Sequence, residues 1–174
     1  MAGAGGSGKS GTVIAGILGG LQTVGDDYVH VSVNNGDTLA QPVYTTLKQD
    51  PDGLKRLGLS DKEFLPQTVN WQGKYQFNLT DLNPASLTER LQITALVLPK
   101  ISSRTQSRFR PAQTKEAFLT LAPSGVSQIH GDRDASFALA AKVTRALPCY
   151  FMDLSQDPAE ISTALRTFIG HQSL

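Results

Sequence analysis

The first residues of the chain contain a glycine-rich pattern that is typical of phosphate binding. Glycines let the backbone curl so that successive N–H groups point at phosphate oxygens, and a helix that begins there adds the positive end of its dipole. A lysine would then reach the β- and γ-phosphates, and a hydroxyl would bind Mg²⁺. The run Gly3-Ala4-Gly5-Gly6-Ser7-Gly8-Lys9-Ser10, called the glycine loop below, fits G-x-x-x-x-G-K-[ST] at every fixed position.

Chance is the competing interpretation of the glycine loop, since a flexible glycine-rich tail can match a short pattern by accident. An amphipathic helix is predicted directly downstream, over Lys9 to Leu18. A phosphate-binding loop needs such a helix, whereas a flexible tail does not. We therefore expect a true phosphate cradle, with Lys9 on the phosphates and Ser10 on Mg²⁺.

Two adjacent aspartates, Asp26 and Asp27, follow the glycine loop at a distance that brings them back to it. A helix of about ten residues carries the chain about 15 Å away, and a returning strand of about five residues recovers roughly 16 Å. We expect both carboxylates beside the loop, at the sheet edge where open α/β proteins bind ligands. One could orient Mg²⁺ and the other could accept the proton of an attacking hydroxyl. A charged turn between two strands is the plain alternative.

The elements that must position these residues alternate between helix and strand, so the fold class is α/β with a mixed sheet flanked by helices. After the helix, Leu21 to Val24 is predicted to return as a strand, and Tyr28 to Val33 to continue into a hairpin at Asn35-Gly36. Residues 49–72 are predicted to be loop-rich, with a short helix near 60–65. Further strands are predicted over 74–79, 91–98 and 149–154, and helices over 114–121, 134–147 and from Asp157 to Gly170.

Composition describes an ordinary globular chain of 174 residues, which we take as one domain over 1–174. The single cysteine, Cys149, excludes an intramolecular disulfide and a Cys-rich zinc site. The longest apolar stretch of the chain, Thr12 to Leu21, is too short to span a bilayer. No signal peptide is recognisable. The net charge of +1 argues neither for nor against nucleic acid. We expect a cytoplasmic protein with neither a membrane nor a nucleic-acid partner.

Two weaker signals lie outside the first 28 residues. Arg104, Arg108 and Arg110 share parity, so an extended segment would place them on one face, where they could contact phosphate or an acidic peptide. A solvated strand face is the plainer interpretation, and Arg110 is the best single candidate for a contact. The aromatic residues Trp71, Tyr75 and Phe77 could form a platform for bases, although the strand spacing of Tyr75 and Phe77 favours ordinary packing for that pair.

The run GAGGSGKS, a short helix and then GDDYV resembles the HPr kinase family of serine kinases. In that family a Walker A loop is followed by an Asp-Asp pair at the same distance. The wider relatives include ATP-dependent phosphoenolpyruvate carboxykinases and the kinases of lasso-peptide precursors. The segments FRPAQTKEAFLTLAPS and ALPCYFMDLSQDP are also similar to the later part of such kinase-like proteins.

This resemblance implies a P-loop nucleotide-binding domain of the HPr kinase/phosphoenolpyruvate carboxykinase type, with ATP and Mg²⁺ as cofactors. It implies that Lys9 binds phosphate, that Ser10 and Asp27 bind the metal, and that Asp26 is the general base. It also implies a peptide or protein with an acceptor Ser or Thr as partner, and it leaves open a homo-oligomer.

The chain departs from that family at three places. Met1 lies two residues before Gly3, so the strand and the histidine that normally precede the loop are missing, and we expect an N-terminally incomplete core. The family's later glycine-rich signature is not found, which makes HPr itself a doubtful substrate. Gly11, next to the phosphate-binding residues, stands where the family usually has a hydroxyl or acidic residue.

Three functions stay open on the sequence. The first is an ATP-dependent kinase that transfers the γ-phosphoryl group to a Ser or Thr hydroxyl. The second is a nucleotide-binding regulatory protein without transferase activity. The third is a small-molecule kinase whose acceptor pocket would come from residues 49–90.

Overall fold

A computed structural model describes residues 1–34, 36–126 and 133–172 of this mixed α/β protein. A short 3₁₀ turn covers Pro84–Ser86. The helices are α1 (Lys9–Leu18), α2 (Pro51–Arg56), α3 (Leu79–Leu82), α4 (Thr114–Val126), α5 (Arg133–Ala146) and α6 (Pro158–Gln172). The strands are β1 (Val29–Asn34), β2 (Asp37–Pro42), β3 (Thr46–Gln49), β4 (Tyr75–Asn78), β5 (Leu91–Gln92), β6 (Leu96–Arg104), β7 (Arg108–Pro111) and β8 (Cys149–Ser155).

A mixed sheet of three strands in the order β6-β8-β7 carries helices on both faces. β6 and β8 run parallel, whereas β7 pairs antiparallel with β8. Alternate residues serve the two faces, as strand geometry requires. Leu98 and Phe151 pack with Ala117 of α4, and Met152 packs with Ala15 of α1 and with α6. Burial of both faces explains why the first four residues of β8, Cys149 to Met152, are all apolar or aromatic.

Helix α1 belongs to two apolar clusters at once. Ala15 faces the mixed sheet, while Ile14 and Ile17 pack against Leu47 of β3 and Phe77 of β4. β3 and β4 form a separate two-stranded antiparallel sheet. Since both sides of α1 are buried, its N-terminal end and the glycine loop have a fixed orientation.

The predicted hairpin after β1 is confirmed by the pairing of β1 with β2. The register brings Asn34 opposite Asp37, which leaves a two-residue connection of Asn35 and Gly36. Gly36 has a φ of 92°, as tight hairpin turns require, and Asn35 lies outside the described residues. β5 adds a third strand to this sheet, and Lys142 of α5 donates to the carbonyl of Val33 at 2.8 Å.

The prediction of a strand over Leu21 to Val24 is wrong, because no strand forms there. The backbone of this segment makes a single parallel bridge, between Thr23 and Leu87. Gly20 and Gly25, with φ of 81° and 144°, turn the chain on either side of it. Too few residues stay extended between these turns for a ladder to form.

Two further predictions fail in the middle of the chain. No helix forms near 60–65. The short helix is instead α2, where Asp50 accepts a hydrogen bond from the Gly53 amide at 2.7 Å and Pro51 occupies the first turn, a strong start signal. The strand predicted over 91–98 is divided between β5 and β6, which belong to different sheets.

Two helix ends also differ from prediction. Helix α4 continues through Pro123 to Val126, and α6 continues through Gly170 to Gln172.

At the start of α6, the side chain of Asp157 accepts a hydrogen bond from the amide of Ala159 at 2.9 Å. Glu160 accepts hydrogen bonds from the backbone and hydroxyl of Ser107, at 2.9 Å and 2.7 Å. This glutamate therefore ties α6 to the segment before β7.

None of the helices in the described ranges is both long enough and apolar enough to cross a bilayer.

Candidate functional site

The glycine loop lies against the carboxyl ends of the two parallel strands. A Cβ on Gly8 would stand 2.5 Å from Leu154 of β8 and 3.6 Å from Ile101 of β6. Gly8 also has a φ of 99°, and Gly6 one of 79°, which only glycine adopts readily. The backbone of Ala2 donates to the Val97 carbonyl of β6 at 3.0 Å. The loop therefore occupies the sheet edge where ligands of open α/β folds bind.

Lys9 is folded back over the glycine loop. Its ammonium group donates to the carbonyls of Gly3 at 2.7 Å and Ala4 at 2.9 Å. The positive charge thus stands at the mouth of the loop, while Thr12 secures the first turn of α1 through a 2.7 Å bond to the Gly8 carbonyl. A ligand with a stronger acceptor than a carbonyl could draw Lys9 to itself.

A cleft of about 660 Å³ opens above the loop, within the usual size of small-molecule sites. The glycine loop, apart from Ser7, contributes to the lining together with Asp27 and Tyr28. The middle of the chain also contributes, mainly through β3, α2 and the turn before β4. The lining residues there include Lys48, Gln49, Asp50, Gly53, Arg56, Asn70, Trp71, Gln72, Lys74 and Gln76.

Asp26 lies beside Ser10 and Lys9, although it is not among the described residues that line the cleft. Neither oxygen of its carboxyl group has a hydrogen-bond partner among the described residues. Burial raises the pKa of Asp26 to about 6, and the negative charge of Asp27 acts in the same direction. The Ser10 hydroxyl and the Lys48 backbone amide lie near enough to the carboxyl group to oppose this shift, as does the charge of Lys9, although neither the hydroxyl nor the amide makes a hydrogen bond of normal geometry with it.

Asp27 faces the cleft and forms an ion pair with Lys48 of β3 at 3.1 Å. Two aspartates that are adjacent in sequence therefore have different environments, one buried and one exposed. Lys48 was missed by the sequence analysis because nothing in the residues around it links it to a position 21 residues earlier. Only the packing of β3 beside the aspartates shows the contact.

Two tyrosines frame the aspartates. The rings of Tyr28 and Tyr44 lie 5.9 Å apart, and Tyr28 lines the cleft. Burial raises the pKa of Tyr44 to about 12, and the charges of Asp27 and Asp26 contribute. The Tyr44 hydroxyl therefore stays protonated at neutral pH. Tyr44 has no motif around it that would have indicated this position.

The lining of the cleft is predominantly positive. Lys9, Lys48, Arg56 and Lys74 contribute four cationic side chains. Among the described residues of the lining, two are acidic: Asp27 is paired with Lys48, and Asp50 caps α2 by accepting a hydrogen bond from the Gly53 amide. A cleft with this balance attracts polyanionic ligands.

Comparisons with known proteins identify no relative. No protein-family model, no curated protein and no solved structure matches the chain. The site must therefore be interpreted from its own geometry.

Arg110 is not among the described residues that line the cleft. Its guanidinium group holds Asp153 at 3.3 Å and 3.4 Å and lies 4.4 Å from the ring centre of Phe151. The hydrogen bond and charge of Arg110 lower the pKa of Asp153. Arg104 ends β6 whereas Arg108 and Arg110 lie on β7, with β8 between them, so the three arginines do not share one extended segment.

The aromatic trio is separated by the fold. Phe77 is buried in the cluster around Ile14, and Tyr75 packs against the same cluster. Trp71 lies in the turn before β4 and faces the cleft. The packing interpretation is confirmed for Phe77 and Tyr75. Cys149 is buried, and burial raises the pKa of its thiol.

Oxygen donors suited to Mg²⁺ are present at the loop. The described residues contain no cluster of three or more His, Cys, Asp and Glu side chains that could enclose a metal. Mg²⁺ does not need such a cluster, because it commonly binds one or two carboxylates together with waters and substrate phosphates. Ser10 and Asp27, which both line the cleft, fit that requirement.

Proposed function

We propose that this protein is an ATP-dependent kinase, similar to the HPr kinase-like serine kinases, which transfers the γ-phosphoryl group to a Ser or Thr hydroxyl of a peptide or protein. The observation that carries the proposal is that the glycine loop, Lys9, Ser10 and Asp27 line one positively charged cleft, with Asp26 next to Ser10. Backbone amides of the glycine loop would hold the phosphates, as in other glycine-rich phosphate cradles.

The residues then divide the work of phosphoryl transfer. Lys9 exchanges the carbonyls of Gly3 and Ala4 for phosphate oxygens, and its charge offsets the negative charge of the transferring group. Asp26 accepts the proton of the acceptor hydroxyl as that oxygen bonds to phosphorus and ADP leaves. A proton acceptor works best with a pKa near the operating pH, and the raised pKa of Asp26 approaches that condition.

Mg²⁺ would be held by the Ser10 hydroxyl and the Asp27 carboxylate. When bound, the ion neutralises charge on the β- and γ-phosphates. Asp27 must then share its oxygens with the metal or leave Lys48, which is 3.1 Å away.

A second candidate is a nucleotide-binding regulatory protein without transferase activity. Two observations favour it: Asp26 does not line the cleft among the described residues, and Asp27 is already paired with Lys48. A small-molecule kinase is the third candidate, since residues between 49 and 76 contribute to the lining of the cleft and could hold a small acceptor.

Asp26→Asn separates these candidates. We expect this variant to lose transfer at least about a hundredfold, the lower range for removal of a general base, while its affinity for ATP stays unchanged. The measurement is transfer of labelled phosphate from ATP to a panel of Ser- and Thr-containing peptides and small hydroxyl acceptors, with ATP binding followed by calorimetry.

Asp61→Asn is the matched control, because Asp61 is exposed and does not line the cleft. Transfer retained by Asp26→Asn would refute the role of Asp26. Wild-type protein that binds ATP without turnover over the whole panel would support the regulatory candidate instead.

A further inference from the structure

Trp71 lines the cleft but has no role in the phosphoryl transfer proposed above. It is the single tryptophan of the chain. Its surface is 92% exposed to solvent, and it is among the residues that line the cleft. Tryptophan side chains are highly buried on average, because burying an aromatic ring is strongly favourable. An indole that faces both solvent and a charged cleft is suited to contact a ligand.

The turn that carries Trp71 is well defined. The Gly73 amide donates to the Asn70 carbonyl at 2.9 Å, and the Asn70 amide donates to the Lys74 carbonyl at 2.8 Å. The Asn70 side chain accepts from the amides of Gln72 and Lys74, at 2.9 Å and 3.0 Å. These four hydrogen bonds fix the backbone on both sides of Trp71, so the indole is presented from a structured turn.

This turn is also connected to the aspartate side of the cleft. It leads into β4, whose Gln76 pairs with Lys48 of β3, and Lys48 in turn contacts Asp27. Phe77 anchors β4 in the core. The turn that carries Trp71 therefore leads directly into the two-stranded sheet that also carries Lys48, the cationic partner of Asp27.

We propose that Trp71 is the stacking platform for the nucleobase of the nucleotide whose phosphates bind the glycine loop, an inference that rests on the proposed function. A nucleotide has a polyanionic end and a flat π face. The cleft has matching features, because its lining includes both the glycine loop with Lys9 and the exposed Trp71. Stacking on an aromatic side chain tolerates every base, so we expect ATP and GTP to bind with similar affinity.

Trp71→Ala tests this assignment by calorimetry with two ligands, ATP and inorganic tripolyphosphate. We expect ATP affinity to fall about fivefold or more, the lower range for one base on an aromatic ring. Affinity for tripolyphosphate, which has no base, should not change. Trp71→Phe keeps an aromatic face and should retain most of the ATP affinity.

Val69→Ala is the matched control, since Val69 is also exposed, lies two residues away and does not line the cleft. Chemical denaturation of each variant checks that the fold is kept, as expected for a substitution at an exposed position. Fluorescence gives an independent readout, because every tryptophan photon comes from Trp71. ATP should quench this emission, and tripolyphosphate should leave it unchanged.

Three results would overturn the inference. ATP that binds no tighter than tripolyphosphate excludes a base contact while leaving the phosphate site intact. Unchanged ATP affinity of Trp71→Ala, together with a raised KM for the acceptor, would assign the indole to the acceptor instead. Failure of both ligands to bind would overturn the proposed function, and this inference with it.

Discussion

Asp26 combines properties that a purely structural aspartate rarely has. Its two carboxyl oxygens are buried without hydrogen-bond partners among the described residues, and its neighbour Asp27 adds a like charge. Ionising such a group costs free energy that the folded protein must supply. A buried carboxylate that weakens the fold is a candidate functional group.

The pH dependence of stability should reveal this cost. The pKa of Asp26 is raised from 3.8 to about 6 in the folded protein, so between these values the folded state binds more protons than the unfolded state. The free energy of unfolding therefore falls as pH rises through this window and levels off above it. We expect Asp26→Asn to match the wild type near pH 4 and to exceed it by about 2 to 3 kcal/mol near pH 8.

Urea denaturation of both proteins at the two pH values measures this difference, because other titrating groups are common to both. Asp37→Asn, at an exposed position on β2, should show no comparable gain at high pH. If Asp26→Asn has a lower free energy of unfolding than the wild type near pH 8, Asp26 is not a buried charge that destabilises the folded protein.

At the level of the element, the glycine loop needs its glycines for different reasons. Gly8 is fixed by the fold, since its φ is 99° and a side chain would collide with Leu154. Gly5 has no heavy atom within 4 Å of the place where a Cβ would stand, and its φ is not among the positive values. The open space at Gly5 is where we expect phosphate to approach the backbone.

The variants Gly5→Ala and Gly8→Ala should therefore behave in opposite ways. We expect Gly8→Ala to lower the free energy of unfolding by about 1 to 3 kcal/mol, through backbone strain and overpacking. Gly5→Ala should leave unfolding unchanged to within about 0.5 kcal/mol and reduce affinity for tripolyphosphate. Denaturation and calorimetry on the same samples distinguish them, and equal stability losses would show that the loop is not open at Gly5.

Elements with strong local signals were predicted well. Helix α1 begins and ends at the predicted residues, because its apolar spacing and the glycines on both sides act within a few residues. The segment after it was predicted as a strand and forms only one bridge. Strand formation depends on a partner elsewhere in the chain, and Leu87, the actual partner, carries no sequence signal of that pairing.

In the whole molecule, the cleft joins two parts of the structure that share α1. The glycine loop, Leu154, Ser155 and Gln156 belong to the mixed-sheet side, whereas Lys48, Arg56 and Trp71 come from the side of β3 and β4. Arg56 donates to the Gln156 side chain at 3.3 Å across this boundary. A ligand in the cleft would add contacts to both sides simultaneously.

Ligand binding should therefore raise the stability of the whole chain in one transition. At a concentration of 100 times its Kd, ATP with Mg²⁺ is expected to raise the free energy of unfolding by roughly 2.7 kcal/mol. Thermal unfolding followed by circular dichroism measures the shift. Lys9→Ala should show a much smaller shift at the same ATP concentration, and an equal shift would exclude the glycine loop as the binding site.

The sequence by itself determined the mixed α/β class, the glycine loop, α1 and the return of two aspartates toward that loop. Each of these rests on interactions between residues that are close along the chain, or on simple path lengths. Only the tertiary structure decided that Asp26 is buried while Asp27 is exposed, that Lys48 neutralises Asp27, and that Trp71 faces the cleft while Phe77 is buried. Burial and charge pairing depend on which distant segments pack together. The residues adjacent in sequence do not determine that packing.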